Sequence, residues 1–110
     1  MINSVEVNNL ITERKNLHPD DPKINDIWEQ LIKIFSKDEH YTVQYLNNCS
    51  EDNLEWISEV FEDISKNLQS EKFIDELNLL NLKFPNLDLE MDISYAKKSL
   101  RNLLHLICSM

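Results

Sequence analysis

Glycine is absent from all 110 residues of this chain. Glycine normally fills the positive-φ positions of hairpin turns and phosphate-cradling loops, so its absence argues against β-rich folds and glycine-rich nucleotide sites. Cysteine is nearly as scarce. Cys49 and Cys108 are too few and too far apart for a disulfide framework, and both are expected as reduced thiols. No apolar run approaches the ~20 residues that a bilayer-spanning helix requires. The opening MINSVEVNNL also lacks the basic start and apolar block of a secretion signal, so a cytoplasmic address is expected. Without that signal the Asn48-Cys49-Ser50 sequon has no chemical consequence. Basic residues are the last shortage: 11 Lys and Arg stand against 20 Asp and Glu, a formal net charge of −9. Such a surface repels phosphate backbones and anionic lipid and attracts basic proteins, so neither nucleic acid nor a membrane is expected as partner.

What remains is enough to fold. The hydrophobic fraction of 42% is ordinary for a globular domain, and the length suits a single domain over 1–110, because halves would bury too little surface. Residues 1–20 show weak periodicity through Val5 and Leu10 or Ile11 and read as a weak helix or a docking arm. At Asp21-Pro22 a cap followed by an N-terminal proline opens a helix to Phe35, with Ile24, Ile27, Trp28, Leu31, Ile34 and Phe35 on one side. Ser36 and Glu39 have capping-box spacing and predict a short helix to Asn47. Ser50 caps a longer helix whose apolar residues Leu54, Ile57, Val60, Phe61, Ile64 and Leu68 trace one stripe. Ser70 opens another through Phe73, Ile74, Leu77 and Leu80, stopping near Phe84-Pro85. Asp88 opens the last, with Leu89, Ile93, Ala96, Leu100, Leu103, Leu104 and Ile107 inward and its charges matched to the helix dipole. The expected fold is all-α: an antiparallel bundle, or a small stacked-helix array, of five to six helices.

The search for chemistry yields no catalytic or cofactor-binding set. His18, His40 and His105 form no Cys/His pair at metal-ligand spacing, and Cys49 has no local histidine or CxxC partner. Glu55/Glu59 and Glu59/Asp63 stand four apart, but no histidine succeeds them as in di-metal bundles, and the helical phase turns them outward. No enzyme activity, cofactor, metal or small-molecule substrate is expected.

The acids are concentrated instead. Residues 51–93 carry twelve of them against Lys66, Lys72 and Lys83, a local balance of −9. In a continuous helix from Glu51 to Asn67, Asp52, Glu55, Glu59, Glu62 and Lys66 fall on one exposed side, where like charges repel. A stripe of this kind is either a solvated face or a docking surface for a basic partner. Trp56, off the core phase beside these acids, is either a boundary core residue or an interface anchor. Tyr41 and Tyr45 on the preceding helix extend the patch or cover the core edge. The candidate partner-binding residues are therefore Asp52, Glu55, Trp56, Glu59, Glu62, Asp63, Tyr41 and Tyr45, and reversing Glu55, Glu59 and Glu62 to Lys should leave the fold intact.

The segment from Cys49 to Ile64 (CSEDNLEWISEVFEDI), with Gln69 to Ile74 (QSEKFI) and Lys83-Phe84-Pro85, resembles small helical immunity proteins of bacterial toxin–immunity systems, particularly those of contact-dependent growth inhibition. The likeness covers roughly residues 17–100 and rests on the run of short helical segments, with no catalytic signature. It implies a cytoplasmic antitoxin that binds one cognate toxin, often a nuclease, and blocks its active site or substrate path. An EndoU-like ribonuclease is one toxin this admits. Toxic nucleases tend to be basic because they hold phosphates, so an acidic helical face suits them as a substrate decoy. The alternative is a helical adaptor or regulator for another basic protein. The resemblance does not locate the interface.

Overall fold

In the computed structural model, which describes residues 1–101, every regular element is helical. Seven α-helices succeed one another: α1 (Ser4–Asn16), α2 (Lys23–Phe35), α3 (Glu39–Asn47), α4 (Glu51–Ile57), α5 (Phe61–Leu68), α6 (Glu71–Lys83) and α7 (Glu90–Lys98). Short 3₁₀ turns lie at Ser58–Val60, between α4 and α5, and at Pro85–Leu87, between α6 and α7. Counting α4 and α5 as one interrupted segment gives six, and the protein is all-α. The expected inward residues Leu103, Leu104 and Ile107, together with His105 and Cys108, lie outside the described residues.

Several helix starts arise from side-chain capping. Asn3 Oδ1 accepts from Val5 N at 3.0 Å and Glu6 N at 3.1 Å, which makes residues 4–16 a helix despite their weak pattern. Ser50 Oγ accepts from Asn53 N at 3.2 Å and Ser70 Oγ from Phe73 N at 3.0 Å, as the sequence predicts. Asp21 Oδ1 accepts from Lys23 N at 2.9 Å in front of α2.

Two expected caps are corrected. Ser36 does not start α3: at φ −96° and ψ 0° it closes α2, and its Oγ accepts from Asn67 Nδ2 at 3.1 Å instead. Asp38, in extended backbone, takes the capping place and accepts from Tyr41 N at 3.0 Å. Nor does Asp88 cap α7. It sits in the left-handed region at φ 52°, ending the 3₁₀ turn, and α7 begins two residues later without a side-chain cap.

One contiguous apolar core runs through all seven helices. α1 contributes Val7, Leu10 and Ile11; α2 contributes Ile27, Leu31 and Phe35; and the α4–α5 segment contributes Leu54, Ile57, Val60, Phe61 and Ile64. Phe61 and Phe73 meet edge to face with ring centroids 6.2 Å apart, joining α5 to α6. Of the predicted core, Leu54, Ile57, Phe61, Ile64, Leu77, Ile93 and Leu100 are buried. α5 packs chiefly on α7 and α3 on α6, while α1 lies against α2 and α4. Two buried hydroxyls tie elements together: Thr42 Oγ1 donates to Phe35 O at 2.7 Å, and Ser65 Oγ donates to Ala96 O at 2.5 Å.

Candidate protein interface

The acidic segment is not one uninterrupted helix. At Ser58–Val60 the chain tightens from 3.6 to 3.0 residues per turn, which rotates α5 by about 60° relative to an unbroken helix. The apolar stripe survives because Val60 and Phe61 both turn inward. Glu62 and Asp63, however, are set round from Glu55 rather than continuing its line.

The first helix supplies what sequence reasoning missed. Arg14 reaches across from α1 and clasps Glu59 with both prongs, Nε to Oε1 at 2.9 Å and Nη2 to Oε2 at 2.8 Å. The geometry is the paired donor–acceptor fork in which arginine outperforms lysine. Trp28 Nε1 donates to the same Oε1 at 3.1 Å, and the Arg14 guanidinium lies 5.0 Å from the Trp56 ring centroid. One residue on, Lys15 Nζ bonds Asp52 Oδ2. Asn8 Oδ1 accepts from Asn53 Nδ2 at 2.7 Å, completing a polar seam between α1 and α4.

The eight candidates therefore divide into three groups. Glu59 and Asp52 are engaged within the fold, and Trp56 is half-buried at the edge of the core beneath Arg14. The expectation that reversing Glu59 leaves the fold intact is corrected, because a lysine there would face Arg14. Glu55, Glu62 and Asp63 are exposed and have no ion-pair partner among the described residues. Tyr41 and Tyr45 stand apart from them, lining a groove with the start of α1 beyond the Asn8–Asn53 bridge.

Asp92 on α7 brings more negative charge to the α5–α7 side. Its carboxyl is pushed above the ordinary range, first by burial and then by the neighbouring Asp88 and Glu59. In the groove, burial raises the Tyr45 phenol to about 12, with Cys49 adding to the rise and Asn53 opposing it. Burial likewise raises the Cys49 thiol to about 11, against the pull of Lys83, so it remains a protonated, unreactive thiol at neutral pH.

No signal of local spacing reveals the Arg14–Glu59 pair, whose members are 45 residues apart. The basic pair Arg14-Lys15 at the end of an otherwise weak helix is the one visible hint. Among the described residues, no three His, Cys, Asp or Glu side chains gather as metal ligands would, and no helix is long and apolar enough to cross a membrane. Comparisons with protein-family models, curated proteins and solved structures return no match to this chain.

Proposed function

We propose that this protein is an immunity protein that neutralises a basic toxin, expected to be a nuclease, by laying the acidic α4–α5 face over the toxin's phosphate-binding surface in the cytoplasm. The observation that carries the reading is Glu55, Glu62 and Asp63: exposed carboxylates without ion-pair partners among the described residues, within a segment whose local balance is −9. Like charges gathered on one side destabilise a helix slightly; Glu62 and Asp63 stand in the first turn of α5, where the helix dipole favours them, whereas Glu55 lies late in α4 and gains no such support. Their neighbours Asp52 and Glu59 are neutralised by Lys15 and Arg14, so they act as supports for the face. Trp56, held under Arg14, contributes its remaining exposed edge.

The test is co-expression with the product of the adjacent gene, with growth and complex purification as readouts. Reversing Glu55 and Glu62 to Lys should abolish protection and lower complex affinity by about 100-fold, the scale at which charge pairs are lost and replaced by repulsion. The matched reversal of Glu71 and Asp75 on α6 should do neither. Protection that survives the first variant removes the acidic-face reading, and a basic partner without toxicity assigns the protein to adaptors.

A further inference from the structure

Leu79 and Leu82 on α6 are 59% and 80% exposed and are the only exposed leucines among the described residues. They stand in line with Lys72 and Asp75 on the side of α6 turned away from the core. The positions 72, 75, 79 and 82 alternate spacings of three and four, the pattern by which one helix presents a seam to another. The opposite side of the helix, with Phe73, Ile74, Leu77 and Leu80, is already taken up by the core. The two leucines are therefore a second apolar surface, left bare by the fold.

The charges beside the leucines narrow the choice of what covers them. Exposed Glu71 and Asp75 are matched by exposed Lys72 and Lys83, so this strip has no net charge in a chain of −9. A basic partner gains little there, whereas a second copy of the chain, repelled elsewhere, can approach. Asp75 and Lys83 lie four residues before and four after Leu79, and neither makes an ion pair among the described residues. A helix with an acid on one side of its leucines and a base on the other meets its own complement when paired antiparallel with itself. With the two-fold axis between Leu79 and Leu82, each Leu79 packs on the Leu82 of the other copy. Each Lys83 then comes within three residues of the other copy's Asp75, about 4.5 Å along the axis. In a parallel pair Asp75 would meet Asp75 and Lys83 would meet Lys83. We propose that α6 is a self-association surface, on which two copies of this chain pair antiparallel through Leu79 and Leu82 with Asp75–Lys83 ion pairs at either end. A seam of one 13-residue helix falls short of the ~800 Å² per partner of a tight complex, so the dimer is weak and reversible. The proposal goes beyond the acidic-face reading and does not depend on it.

The test is sedimentation equilibrium of the full chain between about 10 µM and 1 mM. The average mass should rise from monomer towards dimer across that range. Leu79→Gln with Leu82→Gln, both at exposed positions, should weaken pairing about tenfold or more. Asp75→Lys and Lys83→Asp should each weaken it too, because each sets like charges against one another. Mixed in equal amounts, these two single variants should pair again, since each then carries the charge that the other lacks. Lys83→Asp also removes the charge that draws the buried Glu76 carboxyl down, so its fold is verified by circular dichroism. If it unfolds, Asp75→Lys and the leucine variant decide by themselves. A chain that stays monomeric at the highest concentration overturns the proposal, as does a dimer that the leucine variant leaves intact. A dimer weakened by the leucine variant but by neither charge reversal overturns the antiparallel arrangement. If the chain alone is monomeric and the leucine variant lowers co-purification of the adjacent gene product, the seam belongs to that partner and self-association falls.

Discussion

Thr42 is fully buried on α3, and its hydroxyl donates to the carbonyl of Phe35, the last residue of α2. Carbonyls at a helix end have no partner in the next turn, so this one depends on Thr42. Valine has the same shape without the hydroxyl, and Thr42→Val would leave that carbonyl buried and unpaired. The expected cost is ~1–3 kcal/mol, measured by urea unfolding, the penalty of an orphaned buried polar group and not of a lost contact. Thr42→Ser keeps the donor and should cost mainly the missing methyl, ~1 kcal/mol. If valine proves as stable as the wild type, the tie between α2 and α3 contributes nothing. The sequence does not advertise Thr42, because a threonine within a helix reads as neutral until its neighbour in space is known.

At the scale of elements, the helices written in local pattern were legible and the junctions between them were not. The stripe Leu54 to Ile64 and the caps Ser50 and Ser70 are local facts, and the fold uses them as read. The docking of α1 by Arg14 depends on a partner 45 residues along the chain, which periodicity cannot carry, and the 3₁₀ break at Ser58–Val60 leaves no mark in the apolar spacing, because Val60 and Phe61 both remain buried. In the candidate site, exposure of Glu55, Glu62 and Asp63 came from helical phase, whereas engagement of Asp52 and Glu59 did not. The missing glycines also return here. Gln69 and Asp88 hold φ of 50° and 52°, positions where a side chain costs ~1 kcal/mol or more. Gln69 offsets that cost: its side chain donates to Lys66 O at 2.9 Å and Ser99 O at 2.8 Å and accepts from Arg101 N at 2.8 Å, bridging the ends of α5 and α7. Asp88 makes no side-chain hydrogen bond among the described residues and adds to the charge around Asp92. Asp88→Gly should therefore stabilise by ~0.5–1 kcal/mol, whereas Gln69→Gly should destabilise by ~1–2 kcal/mol. Thermal melts of the two variants decide the matter: shifts of the same sign would mean that the left-handed backbone, and not the bridge, governs both positions.

Across the whole molecule, two electrostatic effects have opposite salt dependence. The net charge of −9 works against the compact state by self-repulsion among its exposed acids, Glu55, Glu62 and Asp63 among them, and added salt relieves it. The Arg14–Glu59 pair works the other way, but its side chains retain only 12% and 27% of their exposure, so salt reaches it poorly. Repulsion among exposed groups is thus screened more than the attraction that holds α1. Raising sodium chloride from 10 mM to 150 mM, which shortens the screening length from about 30 Å to about 8 Å, should raise Tm by a few degrees. The same change should slow association with a basic partner by about tenfold or more, since steering acts through those exposed charges. A protein that grows more stable while binding more slowly has its acids arranged for a partner at the expense of its own fold. A Tm that falls with salt would mean instead that the α1–α4 ion pairs dominate and that the acidic face is already balanced within the fold.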